Sequence, residues 1–441
     1  MKALSHLGLT LAASALALSA PAMAQDLVVT NAKLVIGDGS APIEGGVVIV
    51  DDGKVVFAGK PTPGQTFSTD VLVDAGGAWV TPGIFATVTT LGLADVSAVD
   101  ESNDITAGET PFSAALDAAT AINPTSQHIL VHKAAGITRA TTSMLPAGSI
   151  FAGQGAIIDL DGDARPVMQA RAFQMINLGE GGADRAGGSR SAAHALLRAA
   201  LREAQALAGK PGIPETTEIG KDDEVLLSRF DAEALVPVVT GKQKLYVAAD
   251  RMADIRAVLA LKAEYPKLDL VLVGATEGWL VADEIAAAGV PVIANGLIDL
   301  PETFEQLGAT QSNVGRLAKA GVKVAVNAAT MQDPRRLQQV AGNLVALTKM
   351  PGATGLSWDQ AFAAISSVPA EISGMGGKAG VLKPGALGDV VIWTDDPLEV
   401  GSVPSTVFIG GVKQDLTNHQ TRLRDRYLDL DESNRPKAYD W

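Results

Sequence analysis

The 441-residue chain contains no cysteine, which excludes a disulfide scaffold, cysteine-held zinc or iron–sulfur sites, and a thiol nucleophile. Charge is sparse and one-sided: 19% of residues are charged against 47% hydrophobic, and 35 Lys+Arg face 49 Asp+Glu for a formal charge of -14. Such a chain is too apolar for disorder and can bury a large core. Lacking a long basic run, it has no electrostatic footprint for nucleic acid or an anionic lipid surface, and neither is an expected partner. Three catalytic strings are also missing, namely GxSxG, GxxxxGK[ST] and HExxH, and with them the nucleophile elbow, the P-loop and the helix-borne zinc pair. The glycine-rich run 179–188 lacks the strand-turn-helix spacing of a dinucleotide site.

What is present begins with a leader. Met1-Lys2, the apolar stretch Leu7 to Leu18 and the small-residue site Ala22-Met23-Ala24 read as a secretory signal over 1–24, cleaved before Gln25, so the expected location is periplasmic or secreted. The apolar stretch is short for a membrane span and ends near Pro21. No cysteine follows the cleavage site to carry a lipid, and no later run reaches 18 apolar residues. No membrane anchor is expected.

From 25 to 81, short β-type runs are broken by Gly and Asp, as at Asp52-Gly53, which predicts small antiparallel strands and hairpins. Past Pro82 the pattern changes. Strand-like runs at 83–89, 136–142, 155–160, 244–249, 268–274, 290–294 and 322–327 alternate with helical stretches such as 191–207, 252–264, 281–288 and 335–348. Alternation over this length predicts an α/β fold, a TIM-like (β/α)8 barrel over 82–379. Strand-like segments return over 380–415 and most economically join 25–81 in one small β-sandwich domain. A charged tail over 416–441 reads as a solvated helix or an exchange arm in an oligomer. The run between Leu178 and Arg190 is too rich in glycine for a regular element and reads as a mobile loop, either a lid or a surface connection.

The chain resembles the metal-dependent amidohydrolases, and within them the exported imidazolonepropionase-like members. The resemblance rests on Gly45-Gly46 through Ala58-Gly59, Val80-Thr81-Pro82-Gly83, Gly153-Gln154-Gly155, Leu196-Leu197-Arg198, Asp254-Ile255, Thr276-Glu277, and Leu382-Lys383-Pro384-Gly385 with Gly388-Asp389. It covers almost all of the chain after the leader, and it implies a TIM-like barrel with a split β-sandwich, zinc or another divalent metal at the barrel mouth, and hydrolysis of C–N bonds. At the positions matching the family's metal ligands this chain departs from the pattern. Val88 and Thr90 stand at the HxH positions, Asp159 after the GQG strand, Asp250 (or Ala248) on the fifth strand, Gly274 on the sixth and Ala329, preceded by Asn327, after the eighth.

Four histidines follow the leader: His128, His132, His194 and His419. None ends a predicted barrel strand. His128 and His132, four apart, share a helix face but precede the second strand, which reads as the bottom-facing side of the barrel. His194 and His419 read as solvated. Asp159, Asp250 and Glu277 follow predicted strand ends, so they are expected to converge on the mouth, with Asp159 and Asp250 the candidate catalytic acid/base pair; the competing reading makes Glu277 a framework residue and the two aspartates relics. Two such carboxylates would hold at most a weakly bound Ca²⁺. No cofactor is expected. Two functions remain open: a pseudoenzyme serving as partner or ligand-binding subunit to an intact paralogue, and a C–N hydrolase with an unconventional or metal-independent site.

Overall fold

The Asp52-Gly53 dipeptide turns the chain as its composition predicts. Both residues have positive φ, 46° and 70°, the geometry that lets a two-residue loop match the twist of its strands. It joins strands β2 (Ile43–Asp51) and β3 (Lys54–Gly59) of an eight-stranded sheet. Four further strands of that sheet come from the chain's beginning or end: β1 (Leu27–Leu34), β4 (Val71–Asp74), β5 (Trp79–Pro82) and, after the barrel, β14 (Val390–Trp393). With β15 (Pro404–Ile409) and β16 (Val412–Lys413), the order is β16-β15-β14-β5-β1-β2-β3, and β4 pairs with β1. The structure, a computed structural model, describes residues 26–64, 69–96, 98–208, 226–327 and 333–428. The expected leader, Gln25, Ala329 and the tail from 429 onward lie outside the described residues.

Gly83 carries β5 straight into the barrel, whose strands are β6 (Ile84–Thr89), β7 (Ile137–Thr142), β8 (Phe151–Asp159), β9 (Val167–Asn177), β10 (Lys244–Ala249), β11 (Asp269–Gly274), β12 (Val292–Asn295) and β13 (Val324–Asn327), paired in that order. Helices Arg190–Ala208, Met252–Glu264, Ala282–Ala288 and Asn313–Lys319 lie on the crossovers that follow β9 to β12. The seam between β13 and β6 is bridged by a short segment, because Val326 N–H donates to Ala364 O at 2.9 Å and Phe85 N–H to Ile365 O at 3.1 Å.

One strand departs from the expected (β/α)8 order. β8 runs antiparallel to both β7 and β9. The connections 143–150 and 160–166 are shorter than the dozen or so residues a parallel crossover needs, so the chain forms a meander there. This reverses what lies at each end of β8: its last residue, Asp159, stands at the bottom of the barrel rather than at its mouth.

The barrel interior is filled. Phe85, Val88, Phe173, Met175, Tyr246, Val271, Val273 and Ile293 are buried in one cluster, and the Phe173 and Tyr246 rings stack at 4.2 Å. Gly155 makes room for this plug, since a Cβ there would fall 2.1 Å from the Phe173 ring. The glycine-rich stretch expected to be a loop is a short helix, Glu180–Arg185, with Gly182 and Ala183 buried; its backbone satisfies itself where the glycines press against Asn177. No helix among the described residues is long and apolar enough to cross a membrane.

Candidate functional site

The mouth of the barrel is lined by carboxylates already engaged with the protein. Asp250 follows β10, and its Oδ1 accepts hydrogen bonds from Thr276 Oγ1 at 2.5 Å and Thr276 N at 3.0 Å. Glu277 lies past the end of β11; its two oxygens accept from Met252 N at 2.9 Å and Gly308 N at 2.8 Å. The structure thus brings Asp250 and Glu277 together, and Glu277 N–H donates to Asp250 O at 2.9 Å. Sequence reasoning missed a third carboxylate, Glu305, which accepts from Glu180 N at 2.7 Å and Arg190 Nη2 at 3.1 Å. Burial, with Asp250 adding to it, pushes the Glu305 carboxyl above its ordinary range. Arg190 also pairs with Asp254, itself held by Arg251, both at 2.7 Å. Glu305 lies in the irregular stretch between β12 and β13, where no periodicity marks a residue as facing the mouth.

The positions that match the family's metal ligands hold other things. Val88 is buried and has φ 52°, an outlier for a β-branched residue; its N–H donates to Thr141 Oγ1 at 2.8 Å. Thr90 is buried beside it. Gly274 ends β11 with φ 87°, and a Cβ there would meet Asp250 Oδ1 at 2.7 Å. The Asp250 carboxylate therefore occupies the space a side chain at 274 would need. Four carboxylates, Asp250, Asp254, Glu277 and Glu305, and two guanidiniums, Arg190 and Arg251, make up this rim, a set of hard oxygen donors without an imidazole.

Asp159 does not join this group, which corrects the expectation that it reaches the mouth. At the bottom of the barrel it faces Arg139 Nη1 at 3.3 Å, and Arg139 in turn grips the fully buried Asp389 with two 2.8 Å bonds. One guanidinium between two carboxylates neutralises one of them. Asp389 is held below its ordinary value by Arg139 against the cost of burial, whereas burial, with Asp161 and Asp163 beside it, pushes Asp159 up to about 8. The three carboxylates of Asp159, Asp161 and Asp163 come within 4.8 Å of one another. Because the folded value of Asp159 lies above the unfolded one, its contribution to stability is present near pH 4 and is lost as pH rises toward 8. Asp159→Asn is expected to match the parent in urea unfolding near pH 4 and to exceed it increasingly toward pH 8; parallel pH profiles of the two proteins would contradict the assignment.

The histidines also differ from expectation. Ring nitrogens of His194 are buried without a hydrogen-bond partner, and burial lowers its pKa, so it is not solvated. His128 and His132 lie on the helix Gln127–Ala134, capped by Ser126. Helices of such barrels run opposite to the strands, so its first turn lies at the mouth-side rim, beside Asp95 after β6 and Asp333 after β13, not at the bottom. His419, exposed, opens the last described helix, His419–Tyr427.

No family model matches the chain. Among curated proteins, the amidohydrolase tasK of Hapsidospora irregularis is 42% identical over 60 residues, a stretch that spans 14% of this chain and only 6% of that protein. Among solved structures, an amidohydrolase from Thermotoga maritima matches with a TM-score of 0.73 at 21% identity, covering 88% of this chain and 99% of that one. A prolidase complexed with N-methylphosphonate-L-proline matches at a TM-score of 0.53 and 17% identity, covering 88% and 99%. Molinate hydrolase gives 0.53 at 16% identity over 95% and 99%.

Proposed function

We propose that this chain, which has the fold of the amidohydrolase superfamily, is an exported non-catalytic protein that acts as partner or ligand-binding subunit to an active relative. The observation that carries the reading is the shared space of Gly274 and Asp250: the carboxylate stands where a ligand on the sixth strand would have to project. Val88 and Thr90 at the first-strand positions offer no imidazole. Both mouth carboxylates that follow the strands hold the protein's own backbone. A general base needs a free acceptor aimed at the attacking water, whereas both oxygens of Glu277 accept from Met252 and Gly308 and Asp250 Oδ1 accepts twice from Thr276. Beneath them the Phe173–Tyr246 stack closes the barrel, and bulky side chains there leave a ligand the rim rather than the interior.

The test pairs binding with activity. The chain is affinity-captured from native periplasm with its associates, which are identified by mass spectrometry. Both the isolated chain and the complex are then assayed on N-acyl amino acids, dipeptides and cyclic amides. The expected result is an intact paralogue in the complex and hydrolysis only in its presence. Turnover by the isolated chain that vanishes on Asp250→Asn would replace this reading with a metal-independent hydrolase. Export has its own check: N-terminal sequencing of the native protein should begin at Gln25, and a start at Met1 would remove export from the proposal.

A further inference from the structure

The loop that leaves β12 at the mouth turns bulky apolar side chains to water: Leu300 is 77%, Phe304 83% and Leu307 66% exposed. Leu280, on the turn Gly278–Val281, is exposed beside them, its Cδ1 3.3 Å from where a Cβ on Gly308 would stand. The single 3-10 turn Phe304–Gln306 is built inside out. Its polar residues face the protein: Glu305 accepts from Glu180 N and Arg190, and buried Gln306 accepts from Glu302 N at 3.2 Å through Oε1. Trp279 Nε1 donates to Gly308 O at 2.8 Å and fixes the far end of the loop. Polar bonds on the inside thus hold a rigid apolar cluster outside, which is unfavourable in water and favourable against a partner. Asp299 and Glu302, exposed on the same loop, edge the cluster with negative charge.

A complementary surface stands on the same chain. The helix His419–Tyr427 is pinned at its start: buried Asn418 closes a capping box with Thr421, His419 Nδ1 lies 3.1 Å from Gln127 Oε1, and Gln420 Oε1 accepts from Arg335 Nη1 at 3.0 Å. Beyond that turn Leu423 and Tyr427, four apart on one face, and Leu428 are exposed. Arg422, Arg424 and Arg426 are exposed around them, and Asp425 is the one acid of the helix. Arginine and aromatic residues are the types that anchor protein interfaces, and a cationic helix contrasts with a chain whose formal charge is -14. Both surfaces lie on the mouth side of the barrel, the loop after β12 and the helix against the first turn of Gln127–Ala134. Two copies that met loop to loop would oppose their acids, and helix to helix their arginines. Loop to helix matches charge and covers both apolar surfaces, twice over in a symmetric pair.

We infer that the chain forms a two-fold symmetric homodimer in which the loop 299–307 of one copy docks on the helix His419–Tyr427 of the other. Phe304 and its neighbouring leucines meet the Leu423–Tyr427 stripe, and Asp299 and Glu302 meet the arginines. Neither surface includes Asp250 or Glu277, and the inference stands whether or not the mouth is catalytic.

The test is sedimentation velocity of the native chain across the micromolar range, where a dimer and no larger species is expected. Asp299→Lys/Glu302→Lys reverses the loop and Arg422→Glu/Arg426→Glu reverses the helix. Each protein alone then sets like charges against each other at both contacts and should dimerise at least about tenfold more weakly. Phe304→Ser, which alters no charge, should weaken the dimer as well, and circular dichroism checks that all the variants are folded. Mixed in equal amounts, the two charge-reversed proteins should form a heterodimer of parental affinity, because each meets its opposite at both contacts. A monomer at every concentration, a dimer that neither reversal weakens, assemblies that grow beyond two copies, or a mixture of the reversed proteins that stays monomeric would each overturn the inference.

Discussion

Asp389→Ala is expected to lower the unfolding free energy by about 3–5 kcal/mol, because it strands a buried guanidinium. Arg139, on β7, is 5% exposed, and Asp389, just before β14, is 2% exposed. Their paired 2.8 Å bonds join the barrel to the terminal sheet, and Asp389 Oδ1 also accepts from Gly410 N at 2.9 Å. Asp159 moderates the loss. With Asp389 gone, the guanidinium favours ionisation of the neighbour 3.3 Å away, which recovers part of the charge balance. The double variant Asp389→Ala/Asp159→Asn is therefore expected to lose more than the sum of the single losses. Urea unfolding of the four proteins at neutral pH measures this; a loss under about 1 kcal/mol for Asp389→Ala would show that water reaches the pair.

Gly274→His is expected to cost about 2–4 kcal/mol, from a left-handed backbone that penalises any Cβ and from overpacking against Asp250. At φ 87° the residue lies outside the comfortable range of an L side chain, and its Cβ would stand 2.7 Å from Asp250 Oδ1. Displacing that carboxylate breaks its bonds to Thr276. Asp250→Gly should therefore relieve part of the cost of Gly274→His, although it weakens the parent. Thermal unfolding of the two single variants and the double variant checks the coupling, and strictly additive losses would contradict it. A histidine restored at this one position would not by itself rebuild a metal site.

The barrel and its terminal sheet were legible because apolar periodicity and turn dipeptides report locally on backbone geometry. The strand endings at Thr142, Ala249 and Gly274 fall where the pattern changes. Direction was not legible. The same apolar run serves a strand in either orientation, and only the short connections around β8 decide that Asp159 ends at the bottom. The site divided along the same line. Asp250 and Glu277 follow predicted strands and were found, whereas Glu305 and Arg190 come from a single 3-10 turn and a helix start and meet across 115 residues of sequence. The glycines between 179 and 188 misled for a related reason: a sequence low in helix propensity becomes helical when packing against Asn177 and Glu305 admits only small residues.

The reversed β8 bears on the order of assembly. β7, β8 and β9 pair through adjacent hairpins, while the later barrel pairings wait for a crossover and completion of the terminal sheet, whose β1 to β5 precede the barrel, waits for the last strands of the chain. Closing short loops costs the least entropy, so this meander is the part of the barrel that forms most readily and first during synthesis. Within it Arg139 already faces Asp159, before Asp389, 250 residues further on, has been made. Asp159 is thus the counter-charge that the meander itself supplies to this guanidinium, 3.3 Å away.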